Sequence, residues 1–150
     1  MTTREHRLSK DRRTLTTSPV KTVAICGGTH GNETNGVYLA KYFMTNKTVV
    51  DRPSFDTTVL LTNTAAVQAN QRYVETDMNR CFQMADLANP ALDTLEEKRA
   101  KEIDALLGPK SAVNPKADFV IDMHNTTANT GVRTLGERGL LDALLSRSHC

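Results

Sequence analysis

Three short apolar runs, separated by longer polar and helix-compatible stretches, constrain the fold of this chain more than any other feature. The runs are TVAIC at residues 22–26, TTVLLT at residues 57–62 and DFVIDM at residues 118–123. Runs of this length that are rich in β-branched residues and bounded by turn-forming residues predict buried strands. Because strands alternate here with helical stretches, we expect an α/β fold with a mainly parallel sheet.

Two of the intervening stretches carry helical patterns. After Gly27 and Gly28, Asn32 can cap a helix that continues to about Met44. Leu, Ala and Ile residues over 92–107 recur as in an amphipathic helix, which the pair Gly108-Pro109 ends. The charged residues interleaved in this second helix, which we expect to face solvent, are Glu96, Glu97, Lys98 and Lys101.

Charge and cysteine content exclude several classes of protein. A net charge of +2 with 24% charged residues indicates neither nucleic acid nor an acidic membrane surface as a partner. No apolar run reaches the length of a transmembrane segment or a secretory signal. The three cysteines are odd in number and lack C-x-x-C spacing, which favours reduced thiols in a cytoplasmic protein. Residues 1–20 are basic with little amphipathic pattern, so we expect a disordered leader.

His30, Glu33 and His124 form a candidate metal site. The segment GGTHGNE follows the first predicted strand and His124 ends the third, so all three residues are expected at the carboxyl edge of a parallel sheet, where ligands gather. Two imidazoles and one carboxylate are the ligand set of a catalytic zinc site. H-x-x-E also arises by chance. The alternative is that Glu33 is a first-turn acid, His30 a loop donor and His124 a strand-end residue.

Four segments in the right order resemble the aspartoacylase family. They are VAICGGTHGNETNGVYLAKYF, RYVETDMNRCF, LLGPK and DFVIDMHNTTANTG, within residues 21–131, and the NTTAN form is most similar to the aminoacylase-3 branch. The resemblance implies the N-terminal part of a three-layer, carboxypeptidase-like α/β domain that carries one zinc ion. It also implies hydrolysis of N-acyl amino acids to a carboxylate and a free amino acid, with His30, Glu33 and His124 as the zinc ligands.

The same resemblance assigns substrate residues to the segment at 72–80. It implies that Asn79 and Arg80 hold the α-carboxylate of the substrate and that Arg72 polarises the scissile carbonyl, roles that suit an amide and two guanidinium groups. Without the resemblance, the two arginines would be interpreted as solvated surface charges and Asn79 as a turn residue. We expect Asp77 to orient a neighbouring arginine, and Asp122 to be either a partner of a ligating histidine or a strand-end acid.

The resemblance ends after Gly131, and residues 132–150 are expected to be a divergent tail. The family's general-base glutamate, in an E-x-G-P-Q-P-Q-G segment, has no counterpart in the 150 residues. We therefore expect a zinc amidohydrolase whose activity is impaired in this truncated chain. The alternatives are a non-catalytic variant that binds zinc or pairs with full-length subunits, and a metal-free binding module. The NTTAN segment favours N-acyl aromatic or mercapturate-like substrates over N-acetylaspartate, and a homo-oligomer is left open.

Overall fold

A computed structural model describes residues 19–125, which contain a three-stranded parallel sheet in the order β2-β1-β3. The strands are β1 Thr22–Gly27, β2 Asp56–Leu61 and β3 Phe119–Met123. All three predicted strands are thus confirmed, with boundaries shifted by no more than one residue. Gly27 pairs with both Leu61 and Met123, so the three strands end at the same level. Their carboxyl ends therefore form one common edge.

Four helices and two short 3-10 turns connect these strands. They are α1 Thr34–Thr45, α2 Thr64–Ala69, α3 Met84–Ala88, α4 Leu95–Leu107, and the 3-10 turns Lys47–Val49 and Met78–Arg80. The first predicted helix is confirmed, but the prediction that Asn32 caps it is wrong. The N-cap position is Glu33, whose side chain makes no capping bond. Its carboxylate instead contacts His30 and His124 at the sheet edge. It is therefore not placed to cap the helix.

Helix α4 begins later than its apolar spacing indicated. Thr94 and Glu97 form a capping box, which satisfies two backbone N–H groups and fixes the start at Leu95, so Leu92 lies outside the helix. The predicted end is confirmed, because the N–H of Gly108 donates to the carbonyl of Asp104 at 2.8 Å. The expectation that Glu96 faces solvent is wrong, since this side chain is fully buried.

Helices cover both faces of the described sheet, as the predicted three-layer fold requires. On one face, Gly27 of β1 lies so close to α1 that a Cβ at this position would stand 2.2 Å from the carbonyl oxygen of Gly36. On the other face, Ala24 and Cys26 of β1 belong to the main apolar core. The other fully or nearly buried members of that core are Met78, Cys81, Phe82, Ala100, Ile103, Leu107 and Ala117.

The ends of the chain lie outside the described residues. Residues 1–18, which hold most of the predicted leader, and residues 126–150, which hold the predicted tail, are among them. The domain boundaries at 20 and 131 therefore stay predictions. Within 19–125, none of the helices is long and apolar enough to cross a bilayer.

Candidate metal centre

The loop after β1 is shaped by glycines that bring His30 to the sheet edge. Gly28 has a φ of +79°, a conformation that favours glycine, and it turns the chain away from the strand. Gly31 lies against α2, where an added Cβ would stand 2.1 Å from the backbone carbon of Ala66. His30 is held between them and is only 3% exposed. The local sequence GGTHG thus produces a tight loop with one buried imidazole.

The three predicted ligands converge at this edge. The Nδ1 atom of His30 lies 2.7 Å from Oε1 of Glu33, and the Nδ1 atom of His124 lies 2.9 Å from Oε2 of the same carboxylate. The two imidazole rings are 5.0 Å apart between centroids. One ligand atom from each of the three residues lies within 4.8 Å of the others. Side chains from two strand ends therefore share a single space.

An aspartate accompanies the opposite nitrogen of each histidine. The Nε2 atom of His30 lies 3.0 Å from Oδ1 of Asp77, and the Nε2 atom of His124 lies 2.6 Å from Oδ2 of Asp122. Metal-binding histidines usually donate their second ring N–H to a carboxylate or carbonyl, which fixes the tautomer and the ring orientation. Both Nδ1 atoms face Glu33, and a metal ion bound there would take the place of the Nδ1 proton while Nε2–H donates to the aspartate.

Asp122 is itself held in place by Thr29, which in turn contacts Thr62. The hydroxyl of Thr29 lies 3.0 and 2.9 Å from the two carboxylate oxygens of Asp122, and 2.9 Å from the hydroxyl of Thr62. Thr62 in turn lies with its hydroxyl 3.0 Å from the carbonyl oxygen of Gly27. Asp122 is 5% exposed. The sequence left open whether Asp122 partners a histidine, and the structure shows this contact.

The charges at the centre favour a cation. Burial opposes ionisation of Glu33, but hydrogen bonds from the Asn125 backbone N–H and from His30 outweigh it and lower the pKa of this carboxyl below 4.5. Asp77 follows the same pattern, since burial is outweighed by its hydrogen bonds and its pKa is also lowered. Burial acts to lower the pKa of His124, but Asp122 and Glu33 raise it to about 9. Ionised carboxylates thus surround both imidazoles.

The donor set fits zinc. Two imidazole nitrogens and one carboxylate are the protein ligands of several catalytic zinc sites, and they leave a coordination position for water or substrate. His30 and His124 present their Nδ1 atoms to the same space as the Glu33 carboxylate. The aspartates on the far side of each ring supply the orientation that such ligands need.

The predicted substrate segment lies beside this cluster. The guanidinium of Arg72 is 3.6 Å from Oε1 of Glu33 and 3.5 Å from Oδ2 of Asp77, with its side chain 52% exposed. Asp77 therefore contacts an arginine, as expected. The Nδ2 atom of Asn79 lies 3.3 Å from Nε2 of His30. Arg80 is exposed at the end of the same 3-10 turn.

Sequence reasoning missed one function of this segment. It gave Asp77 a contact with an arginine but not the contact with His30, which lies 47 residues earlier in the chain. No local pattern joins two residues at that separation. A weaker signal was available in the sequence. Asp77 is an acid flanked by predicted substrate residues, and the chain also carries candidate metal-binding histidines, which often have a carboxylate partner.

Comparison with known proteins shows the family. Residues 19–146 match the model of the succinylglutamate desuccinylase/aspartoacylase catalytic domain. The chain belongs to this family. The resemblance found in the sequence motifs is therefore confirmed.

Individual relatives of this aspartoacylase-family chain are considerably longer than it is. A probable aspartoacylase of Trichodesmium erythraeum is 48% identical over 113 residues, which cover 75% of this chain and 38% of the relative. An N-acyl-aromatic-L-amino acid amidohydrolase (carboxylate-forming) of Rattus norvegicus is 47% identical over 121 residues, 79% of this chain and 38% of the relative. The crystal structure of murine aminoacylase 3 superposes with a TM-score of 0.70 at 47% identity, over 77% of this chain and 38% of that one. The predicted fold class is thus confirmed.

Proposed function

We propose that this chain contributes the metal centre and part of the substrate site of a zinc-dependent amidohydrolase. The proposed reaction cleaves an N-acyl amino acid to a carboxylate and a free amino acid. One observation carries the proposal: two Nδ1 atoms face the two oxygens of one carboxylate, and an aspartate faces the far nitrogen of each ring. The hydrolase names of the relatives support the reaction class.

In this proposal, His30, Glu33 and His124 hold one zinc ion per chain. Zinc bound there would supply Lewis-acid chemistry, lowering the pKa of a water and polarising the acyl carbonyl. Asp77 keeps a proton on Nε2 of His30, and Asp122 does the same for His124. With zinc in place of the proton on Nδ1, each histidine would be a neutral ligand whose ring is oriented by its aspartate.

The substrate residues follow from their placement around the ligands. Arg72 lies against Glu33 and is half exposed, so its guanidinium can reach a carbonyl oxygen at the metal and stabilise the charge that develops there. Asn79 is half-buried beside His30, and its carboxamide NH2 group is a donor that suits a carboxylate. We propose that Asn79 and Arg80 bind the α-carboxylate of the substrate.

We assign no general base within residues 19–125. Within the described residues, the acids at the metal centre are Glu33, Asp77 and Asp122. Each of them contacts a histidine. Loss of a general base typically lowers a rate by about 10²- to 10⁴-fold. We therefore propose that residues 19–125 by themselves support only slow hydrolysis, and that a base from outside these residues is needed for full activity.

The acyl amino acid is proposed only as a class. Two of the relatives carry the names of a probable aspartoacylase and of an N-acyl-aromatic-L-amino acid amidohydrolase, at 48% and 47% identity. The NTTAN segment favours the aromatic substrate, and this preference stays a prediction. A cytoplasmic location is also proposed, and it is supported by Cys26 and Cys81, which are both buried free thiols. A homo-oligomer stays a prediction.

The metal is tested first. The purified 150-residue chain is dialysed against zinc and then against metal-free buffer, and its zinc content is measured by atomic absorption. We expect one zinc per chain in the wild type and none in Glu33→Gln. Glu102→Gln is the matched control, because Glu102 is 65% exposed and pairs with Arg99 rather than with a ligand residue. A wild-type chain without bound zinc would contradict the proposal.

The reaction is tested under single-turnover conditions with the zinc-loaded chain in excess, so that a slow rate can be measured. Acetate release is followed from N-acetylphenylalanine and from N-acetylaspartate. We expect slow release that depends on Glu33 and is kept in Glu102→Gln. A chain that holds zinc but releases no acetate would favour the alternative of a non-catalytic zinc-binding variant.

A further inference from the structure

Glu96 is a fully buried carboxylate that no role described above explains. It lies in the first turn of α4 with 0% of its surface exposed, and it is one of the three largest fully buried side chains among the described residues. Burial of a carboxylate is unfavourable unless hydrogen bonds replace its lost hydration. The donors that replace this hydration therefore indicate what the residue holds in place.

The four hydrogen bonds that Glu96 accepts from described residues come from two loops. Its Oε1 atom accepts from the backbone N–H of Val74 at 2.7 Å and from Nδ2 of Asn63 at 3.2 Å. Its Oε2 atom accepts from the backbone N–H groups of Glu75 and Thr76, both at 3.2 Å. Three consecutive N–H groups of a segment outside any helix or strand thus converge on one carboxylate. This segment is held through its backbone, and the Glu75 carboxylate adds one further contact by accepting from the N–H of Leu95.

The held segment lies between two residues of the metal centre. Arg72 precedes it, and Asp77 follows it directly and contacts Nε2 of His30. The backbone carbonyl of Arg72 also accepts from the N–H of Gly31, next to His30 in the loop. A shift of residues 74–76 would therefore move the acceptor that orients His30.

The contact with Asn63 extends the same support to α2. The side-chain oxygen of Asn63 accepts from the N–H of Ala66 and caps this helix. The backbone of Ala66 is the surface against which Gly31 packs. Glu96 thus contacts both segments that flank the loop carrying His30.

We propose that Glu96 is a positioning residue of the metal centre, which fixes the backbone at residues 74–76 so that Asp77 orients His30 and Arg72 stays beside Glu33. This inference rests on the proposed function, since it names a residue that supports the proposed zinc site. It does not make Glu96 a ligand or a participant in the reaction. Its effect passes through the loop to Asp77.

The ionisation of Glu96 agrees with this role. Burial acts to raise its pKa, but the hydrogen bonds from Val74, Asn63, Thr76 and Glu75 outweigh burial and lower the pKa below 4.5. The residue therefore carries its charge at neutral pH, where a carboxylate accepts stronger hydrogen bonds than a neutral acid does.

The test compares Glu96→Gln with Glu97→Gln in the 150-residue chain. Glu97 is the next residue of the same turn, and its carboxylate bonds to Thr94 in the capping box but not to the 74–76 segment. Both variants remove one charge from the start of α4. Amide hydrogen exchange of residues 74–76 is measured in the zinc-free chain. The zinc dissociation constant is measured by competition with a chelator, under conditions in which both variants are folded.

We expect exchange at the three amides to become at least about 10-fold faster in Glu96→Gln, and the zinc dissociation constant to rise by about 10-fold, as when a partner of a metal ligand is disturbed. Glu97→Gln should lower thermal stability without either effect. Glu96→Asp, which keeps the charge but shortens the reach, gives the same comparison if the glutamine variant does not fold.

Two results would overturn the inference. Unchanged exchange at the three amides in Glu96→Gln would show that the carboxylate does not hold the segment. Faster exchange with wild-type zinc affinity would reduce Glu96 to a purely structural residue. Failure of the proposed function can be distinguished from failure of this inference. A wild-type chain that binds no zinc contradicts the proposed function. The exchange measurement on the zinc-free chain tests whether Glu96 holds the segment, whatever the outcome for zinc.

Discussion

At the scale of single residues, the metal centre depends on which nitrogen of each histidine carries the proton. Asp77 and Asp122 each face an Nε2 atom, so both rings are expected to present an unprotonated Nδ1 to zinc. Asp122 is itself fixed by Thr29. The residues around the ligands therefore matter for metal binding nearly as much as the ligands themselves.

The first prediction concerns Asp122. Asp122→Asn keeps the size of the side chain but weakens its hold on the His124 ring, so zinc affinity should fall by about 10- to 100-fold. The dissociation constant is measured by competition with a chromogenic chelator.

Asp118→Asn is the matched control for this substitution. Asp118 lies just before β3, at the opposite end of the strand, where its carboxylate accepts from the N–H groups of Lys21 and Thr22. We expect the wild-type zinc affinity in this variant. Equal losses of affinity in the two variants would argue that Asp122 acts only through the stability of the strand.

At the scale of elements, the centre depends on how closely α1 approaches the sheet. A Cβ at Gly36 would stand 2.3 Å from the carbonyl oxygen of Met123, the residue before His124. Glu33 lies at the start of the same helix. The distance between α1 and β3 therefore sets the distance between two of the three ligands.

The second prediction follows from that contact. Alanine is favoured over glycine inside a helix by about 1 kcal/mol. If this helix propensity were the dominant effect, Gly36→Ala would stabilise the chain. We expect the opposite sign, a loss of about 1 to 3 kcal/mol in the free energy of unfolding, because the methyl group meets backbone that cannot move aside freely. Urea unfolding measures the change, and zinc affinity should fall with it.

Asn35→Ala provides the comparison for Gly36→Ala. Asn35 is the adjacent residue of α1 and is exposed. This variant should keep the wild-type zinc affinity and lose no stability. If Gly36→Ala proves as stable as Asn35→Ala, the close approach of α1 to β3 is not the constraint inferred here.

The third prediction concerns α4 and pH. The pKa of Glu96 is lowered in the folded chain, so the stability that its charge contributes is present above the ordinary value of 4.5 and is lost as pH falls through the folded pKa. At pH 7, Glu96→Gln should be less stable than the wild type by about 2 kcal/mol, because buried N–H donors lose an ionised acceptor.

The difference between the two proteins should shrink as pH falls below 4.5, and urea midpoints at several pH values measure it. Glu102→Gln, on the exposed part of the same helix, is the control. A difference between Glu96→Gln and the wild type that is independent of pH would contradict the assignment.

At the scale of the whole molecule, metal binding and folding should be linked. His30 and Glu33 follow β1, whereas His124 follows β3, so the zinc site exists only when the sheet is formed. A ligand that binds the folded chain alone shifts the folding equilibrium by mass action.

The fourth prediction is the size of this effect. Zinc at a free concentration 100 times its dissociation constant should stabilise the chain by about 2.7 kcal/mol, and a chelator should reverse the effect. Thermal unfolding with and without zinc measures it. His124→Ala should abolish the response. His149→Ala, which removes a histidine near the C-terminus that has no proposed role at the metal centre, should keep it. A response that persists in His124→Ala would place the zinc elsewhere.

Some of this molecule followed from the sequence alone. The three strands were predicted because continuous apolar runs bounded by turn residues have few other stable arrangements. His30, Glu33 and His124 were placed together because parallel strands present their carboxyl ends at one edge. The roles given to Arg72, Asn79 and Arg80 came from the family resemblance, and these roles stay proposals.

Only the tertiary structure decided which polar residues turn inward. Glu96 shares the buried face of α4 with Ala100, Ile103 and Leu107, but only the folded chain shows that three backbone N–H groups of a distant loop donate to its carboxylate. Asp77 likewise reaches His30 across 47 residues. Periodicity describes one element at a time, whereas such contacts arise when separate loops meet at the sheet edge, so no local pattern contains them.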